Sequence, residues 1–427
     1  MKILKRLQNL EIRMNSTTFG CCLLYLYLAS PFYMLALSFV LFRMGIPEGG
    51  RVGVLFIMLI GYFVICMLRK KLLVPDFWAL FFAICLFLGF TLILHPEYYH
   101  WYARPEYGVL DYVLSPDSGL FIYLFIRMVN DPKKIIKTIK NASWPVYLLS
   151  AYQTLEAMRR GYWIDTSNRG YEIHMTYNLS LGYNILIFTL VFLYCAFKSG
   201  KISDWFGAGV GIGLTLVAGS RGPFLCVGIF VVLYYLRKIA RSRRRMVIIG
   251  LLTMAAVALW LSYPFILRKL TGFMASHGMS SRFLTKLTQG DLTDDAGRAQ
   301  IWSAAVKMIK ENPWGYGAMG SRHVISQYIF VAHPHQFFLE VLIDFGVIIG
   351  GALIVFVLVS SARLLFMKDL EAWGDLYTIF FARACQLLVS MTFWHGIGLW
   401  SCLAIAKCIR MARKKKARLG PLGAFIP

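Results

Sequence analysis

Residues 75–94 read PDFWALFFAICLFLGFTLIL, twenty positions in which Asp76 is the single charge. A helix of that length, rising about 1.5 Å per residue, crosses roughly 30 Å of hydrocarbon. Water gives such a segment no polar face to present, so lipid is its expected solvent.

The rest of the chain repeats the pattern. Its 427 residues are 58% hydrophobic and 15% charged, and the mean hydropathy is +0.61. A soluble domain with a water-covered surface is excluded on that balance. Apolar segments fall near 19–43, 52–68, 75–94, 117–129, 143–158, 177–197, 203–219, 222–236, 246–267, 336–360, 375–394 and 396–411. The expected fold class is all-α, a polytopic integral membrane bundle of about twelve transmembrane helices. It reads as one transmembrane domain over 1–427 with a partly helical extracytoplasmic loop over 268–335.

A formal charge of +24 would suit nucleic acid if it were spread over a soluble surface, but its distribution follows the spans. Lys2, Lys5 and Arg6, then Arg69, Lys70 and Lys71, then Lys133, Lys134, Lys137 and Lys140 fall on alternate loops. The run Arg237 to Arg245 and the tail Arg413 to Arg418 continue the series on the same side. By the positive-inside rule both termini are expected in the cytoplasm, with no nucleic-acid partner. The first apolar run follows a basic stretch and is too long for a removable signal, so it reads as a signal anchor. All nine cysteines fall in or at the ends of spans, and no disulfide framework or CxxC metal site is indicated.

Chemistry is expected on the outer face. Every histidine (His95, His100, His174, His277, His323, His333, His335 and His395) falls outside or at the outer boundary in this topology, which concentrates groups titrating near neutral pH on one side. The opposing reading is that histidine simply avoids hydrocarbon. Arg221, within Gly219-Ser220-Arg221-Gly222-Pro223, lies where the eighth span enters from outside, so unpaired helix N–H groups flank a guanidinium. In the large loop, Ala299 to Asn312 reads as an amphipathic helix with Ile301, Ala305, Met308 and Ile309 on one face. Thr293, Asp294 and Asp295 are its N-cap candidates, Arg298 sits in its first turn and Pro313 ends it. An arginine beside a helix N-terminus is a phosphate cradle, and two would hold a diphosphate. The alternative for each arginine is a side chain snorkelling to water or headgroups.

His335 precedes the tenth span, where a helix N-terminus favours the neutral imidazole that a general base needs. His333 supports it, or His333-Pro334-His335 binds metal, for which no clear third ligand is evident. Arg322 and Gln336 are further substrate-binding candidates in the same loop and at the span entrance. Glu340 and Asp344 share a helical face at i and i+4. Arg383, about eight residues into the eleventh span, requires a buried partner, for which Asp344 or Glu340 is expected. In the alternative, Glu340 orients His335 or an acceptor hydroxyl.

Taken in order, Ser220-Arg221-Gly222, Gly297-Arg298 with Trp302, Asn312-Pro313-Trp314-Gly315-Tyr316-Gly317 and His335-Gln336 with Leu339 and Gly346 resemble the bacterial O-antigen ligase and O-antigen polymerase superfamily. The resemblance covers about Gly219 to Gly350. It departs at Gln336, often Asn in the family, and at Ile349, where a small residue is expected and Gly350 follows. The resemblance implies a metal-independent, inverting glycosyltransferase of the bacterial inner membrane, with no cofactor. Its donor would be an undecaprenyl diphosphate-linked glycan and its acceptor another lipid-linked repeat (polymerase) or lipid A core (ligase). It assigns catalysis to Arg221, Arg298 and His335. A multi-span transporter or lipid-linked glycan flippase is the competing class, for which midplane coupling residues would speak.

Overall fold

The computed structural model describes residues 16–45, 74–104, 108–115, 118–165, 173–175, 177–242, 245–276, 287–288, 297–329 and 331–419. It is 82% helical with almost no strand. The α-helices are α1 (Ser16–Arg43), α2 (Pro75–Leu94), α3 (Tyr99–Tyr102), α4 (Gly119–Val129), α5 (Pro132–Arg160), α6 (Leu179–Ser199), α7 (Ile202–Ala218), α8 (Arg221–Arg241) and α9 (Arg245–Ser276). They continue with α10 (Arg298–Glu311), α11 (Gly320–Ile325), α12 (Phe337–Phe345), α13 (Gly351–Leu365), α14 (Glu371–Ala384) and α15 (Ile397–Leu419). A short antiparallel pair, β1 (Trp163–Asp165) with β2 (Ile173–Met175), sets Ile164 opposite His174.

Among the described residues, five helical stretches are long and apolar enough to cross a membrane: Pro75–Leu94, Tyr112–Val129, Leu179–Ser199, Arg221–Arg241 and Phe337–Leu365. The other expected spans fall on helices wholly or in part, except 52–68, which lies outside the described residues. Leu179–Ser199 is 78% buried and Arg221–Arg241 22% buried, so α6 is a central pillar and α8 leaves most of its surface for lipid. Every residue of α4 is buried. Around these, α6 packs on α7, α4 on α15 and α1, α14 on α15, and α5 on α1.

Two helix boundaries differ from the sequence reading. The lysines 133–140 do not form a loop between two spans, because α5 already begins at Pro132. Asn130 takes a left-handed φ of 45°. Asp131 then caps α5, its Oδ1 accepting from Lys133 N at 2.9 Å and Lys134 N at 3.1 Å, with Pro132 at the first helical position. The expected span 375–394 is also shorter as a helix: α14 ends at Ala384, a 3₁₀ turn runs Cys385–Leu388, and Met391 is left-handed (φ 70°). Irregular backbone at membrane depth persists only where protein groups satisfy it, and here carboxylates of α12 do so, as described below.

Buried ion pairs fasten the end of the bundle on which the basic residues gather. Arg127 Nε meets Asp76 at 2.8 Å, and Tyr123 donates to the same carboxylate at 2.6 Å. Arg237 pairs with Asp375 at 3.0 Å, where Tyr194 also donates. Lys140 pairs with Asp204. These contacts join the ends of α2, α4, α6, α7, α8 and α14 that lie away from Arg221, with α5 holding the end of α7 through Lys140.

Candidate functional site

At the opposite end, Gly219 turns the chain with φ 73° and α8 starts at Arg221. Ser220 holds the N-cap position but makes no side-chain cap bond, and its buried Oγ has no hydrogen-bond partner. The turn is pressed against α6: a Cβ on Gly222 would overlap the Tyr183 hydroxyl, and one on Gly182 would overlap Ser220 Oγ. Gly222 is therefore required by close approach. Gly222→Ala is expected to displace Tyr183 or the start of α8 at a cost of about 1–3 kcal/mol, seen as a lower melting temperature in detergent together with slower turnover.

Helix α10 begins at Arg298 itself. Its N-cap is Gly297 (φ 79°), again without a side-chain cap bond. The candidates Thr293, Asp294 and Asp295 lie outside the described residues. As the spacing predicts, Ile301, Ala305 and Met308 are buried, and they form a small core with Ile325 and Ile343. Trp302 and Trp314 remain exposed.

The segment after α10 explains why glycine alternates with aromatics there. Tyr316 N donates to Ile343 O at 2.8 Å, Gly317 N to Asp344 O at 3.0 Å, and Val347 N to Pro313 O at 2.8 Å. This brings backbone onto backbone at Gly315 (φ 95°) and Gly346 (φ 76°), where neither position has room for a Cβ. Asn312 closes the turn, donating to Gly315 O at 2.9 Å. The loop is thus fastened to the helix that carries the site.

His335 lies two residues before α12, in left-handed conformation (φ 54°). Gln336, a substrate-binding candidate from sequence, is the N-cap of α12: its Oε1 accepts from Leu339 N at 2.6 Å. The rings of His333 and His335 lie 4.1 Å apart. His335 is held down to about 4 by burial first and by the charge of Arg298 second. His333 is held well below the ordinary histidine range by burial, His335 and Arg322. Both imidazoles are therefore neutral near pH 7. Arg298 also lies within electrostatic reach of the Tyr183 hydroxyl. The charge of one arginine thus reaches both His335 and the tyrosine wedged beside Gly222, the residue after Arg221.

Behind this surface lies a buried charge cluster. Glu340 accepts from Thr392 Oγ1 at 2.5 Å and Phe393 N at 3.2 Å. Asp344 accepts from Trp394 Nε1 at 2.9 Å, and from Met319 N and Ser321 N at 3.3 Å each. These bonds stabilise the irregular chain after α14 and the start of α11. The guanidinium whose charge acts on both carboxylates is that of Arg322, which is fully buried over the Tyr112 ring at 5.2 Å. The expected pairing of Arg383 with Asp344 or Glu340 is not formed. Arg383 occupies the last turn of α14, where a cation suits the helix dipole, and lies 5.7 Å from the Tyr183 ring. Nor does Glu340 orient His335, since the partners of its two oxygens are Thr392 and Phe393. Among the described residues no group of three or more His, Cys, Asp or Glu is arranged to hold a metal ion.

Residues 206–368 match the family described as O-antigen ligase. The match supports the O-antigen ligase and polymerase superfamily. No curated protein and no solved structure matches the chain. The matched segment contains Arg221, Arg298 and His335, and it includes the fastened loop and the α12 cap. Three neighbours of the site fall outside it and escaped the sequence reading: Tyr183, Trp101 and Arg104. Tyr183 resembles any aromatic near a span end, and only the adjacent Gly182 hinted at close packing. Trp101 and Arg104 belong to an outer loop with no motif of its own.

Proposed function

We propose that this chain is a membrane glycosyltransferase of surface polysaccharide assembly. It transfers an undecaprenyl diphosphate-linked oligosaccharide to a hydroxyl of another lipid-linked repeat, without a metal ion and with inversion at the anomeric carbon. The observation that carries the reading is that the charge of Arg298 acts on both His335, which is held neutral, and Tyr183, whose hydroxyl packs against Gly222, the residue after Arg221. The coarser conclusion, glycan transfer by a membrane-embedded enzyme, has the support of the family match and of the apolar helices.

In this mechanism the acceptor hydroxyl donates its proton to His335, and its oxygen attacks the anomeric carbon opposite the diphosphate. The bond from that carbon to the diphosphate oxygen breaks, leaving its electron pair on the departing diphosphate. Arg221 and Arg298, each at a helix start without a side-chain cap, stabilise the charge that accumulates there. His333 lies beside the base. Gln336 caps the helix that follows the base, and Glu340 and Arg322 belong to the buried charge cluster beneath it. The lipid tail stays in the bilayer, and the site faces the extracytoplasmic side of the inner membrane with both termini in the cytoplasm.

Purified protein in detergent, with lipid-linked glycan and no ion gradient, is expected to form elongated product in the presence of chelator. Arg221→Ala and Arg298→Ala are each expected to slow that reaction about 10²–10³-fold. Absence of transfer by wild-type protein, or full activity in both variants, overturns the assignment. The family's description as O-antigen ligase favours a second reading, in which lipid A core is the acceptor. Polysaccharide from a deletion strain separates the two: core bearing a single repeat marks a lost polymerase, and polymer left on undecaprenyl diphosphate marks a lost ligase.

A further inference from the structure

We infer that the cleft between the outer segment containing Trp101 and Arg104 and the residues Ser326 and Val331 to His335 is a subsite for one sugar ring of the acceptor glycan. The inference rests on the transferase reading and names the part of the substrate that the cleft would hold.

The cleft has a volume of about 210 Å³ and is lined by Trp101, Arg104, Ser326, His333 and His335, with Val331 and Ala332 between them. That is smaller than a pocket for a whole drug-sized ligand, and suits a single pyranose ring. Its lining matches the two-sided character of such a ring. Trp101 and Val331 offer apolar surface to C–H groups, while the Ser326 hydroxyl, the Arg104 guanidinium and the imidazoles address hydroxyls. Arg104 lies 4.8 Å from the Trp101 ring, so cation and indole form one continuous wall.

A second observation points to a polar occupant. His333 is 4% exposed, and neither of its ring nitrogens has a hydrogen-bond partner. Buried polar atoms are nearly always satisfied, so its environment suits a hydroxylated ligand and the water that ligand carries.

The cleft suits the acceptor better than the donor because of what shares it. His335 is on its wall, so a hydroxyl of a sugar bound there lies beside the base. Arg221 and Arg298, which the mechanism assigns to the diphosphate, are not on its wall. The wall is also firmly held: Tyr98 and Tyr102 are buried, and the Tyr102 hydroxyl donates to Ala318 O. A preset wall suits discrimination between sugars.

The test uses the full-length protein in detergent with its lipid-linked donor and acceptor. Trp101→Ala is expected to raise the KM for acceptor at least tenfold, with a much smaller change in kcat and in the KM for donor, and Trp101→Phe to recover most of the loss. Ala332→Phe, which fills the cleft from a half-buried position without removing a buried aromatic, is expected to do the same. Binding of the delipidated repeat oligosaccharide, measured by calorimetry, gives a readout independent of turnover, and Ala332→Phe is expected to weaken it at least tenfold. Unchanged acceptor KM and unchanged oligosaccharide binding in both Trp101→Ala and Ala332→Phe overturn the subsite. If transfer stops in His335→Ala under those conditions, the transferase reading stands and the subsite alone has failed.

Discussion

His335→Ala is expected to reduce glycan transfer about 10²–10⁴-fold, the usual contribution of a positioned general base, while the protein inserts and purifies at the wild-type level. The sharper form of this prediction is the pH profile. An exposed histidine loses its basic form below about 6.5. His335 is held down to about 4, by burial first and Arg298 second, so it stays neutral until the pH falls much lower. Transfer should therefore be flat from pH 7 to about 5 and decline only as the pH approaches 4. A kcat/KM profile that instead falls through 6.5 would show that another group is the base. The same shift links pH to stability: the unfolded chain binds the proton more tightly than the folded one, so stability is full above about 6.5 and lost progressively as pH falls toward 4.

Arg322→Met is expected to be the most destabilising single change near the site. It leaves the carboxylates of Glu340 and Asp344 buried without the guanidinium whose charge acts on them. Removing one partner from a buried charge cluster typically costs about 3–5 kcal/mol, which would show as a much lower melting temperature in detergent and reduced yield. The compensating experiment is Arg322→Met combined with Glu340→Gln. Removing a buried carboxyl that faces Asp344 without a cation should recover part of the loss, because the amide oxygen can accept from Phe393 N while the amide NH2 donates to the Thr392 hydroxyl. A double variant no more stable than Arg322→Met alone would show that Arg322 acts through packing rather than charge.

The sequence exposed those parts of the architecture that depend on local pattern. Most apolar runs among the described residues are helices, and the face of Ile301, Ala305 and Met308 is a core. Arg221 and Arg298 open helices where turn chemistry and periodicity put them. What it concealed depends on contacts made across long separations. Nothing local stops α14 at Ala384; the chain stays irregular beyond it because Glu340 and Asp344, some fifty residues earlier, bind Thr392, Phe393 and Trp394. The partner of those carboxylates was misread for the same reason. Two buried arginines, Arg322 and Arg383, compete for the role on composition alone, and only the docking of the loop on α12 decides for Arg322. The start of α5 is a different case, since Asp131-Pro132 is a legible cap and first turn that the preceding apolar run obscured.

The left-handed backbone of His335 carries a consequence for how this protein is constrained. At φ 54° any side chain with a Cβ costs about 1–2 kcal/mol relative to glycine. Folding alone would favour glycine there, yet the position carries an imidazole. His335→Gly should therefore yield a protein that melts higher than the alanine variant and remains inert. That outcome is the signature of a trade between durability and activity at one residue, and marks the entrance to α12 as a place where a destabilising backbone is tolerated for the sake of what it presents.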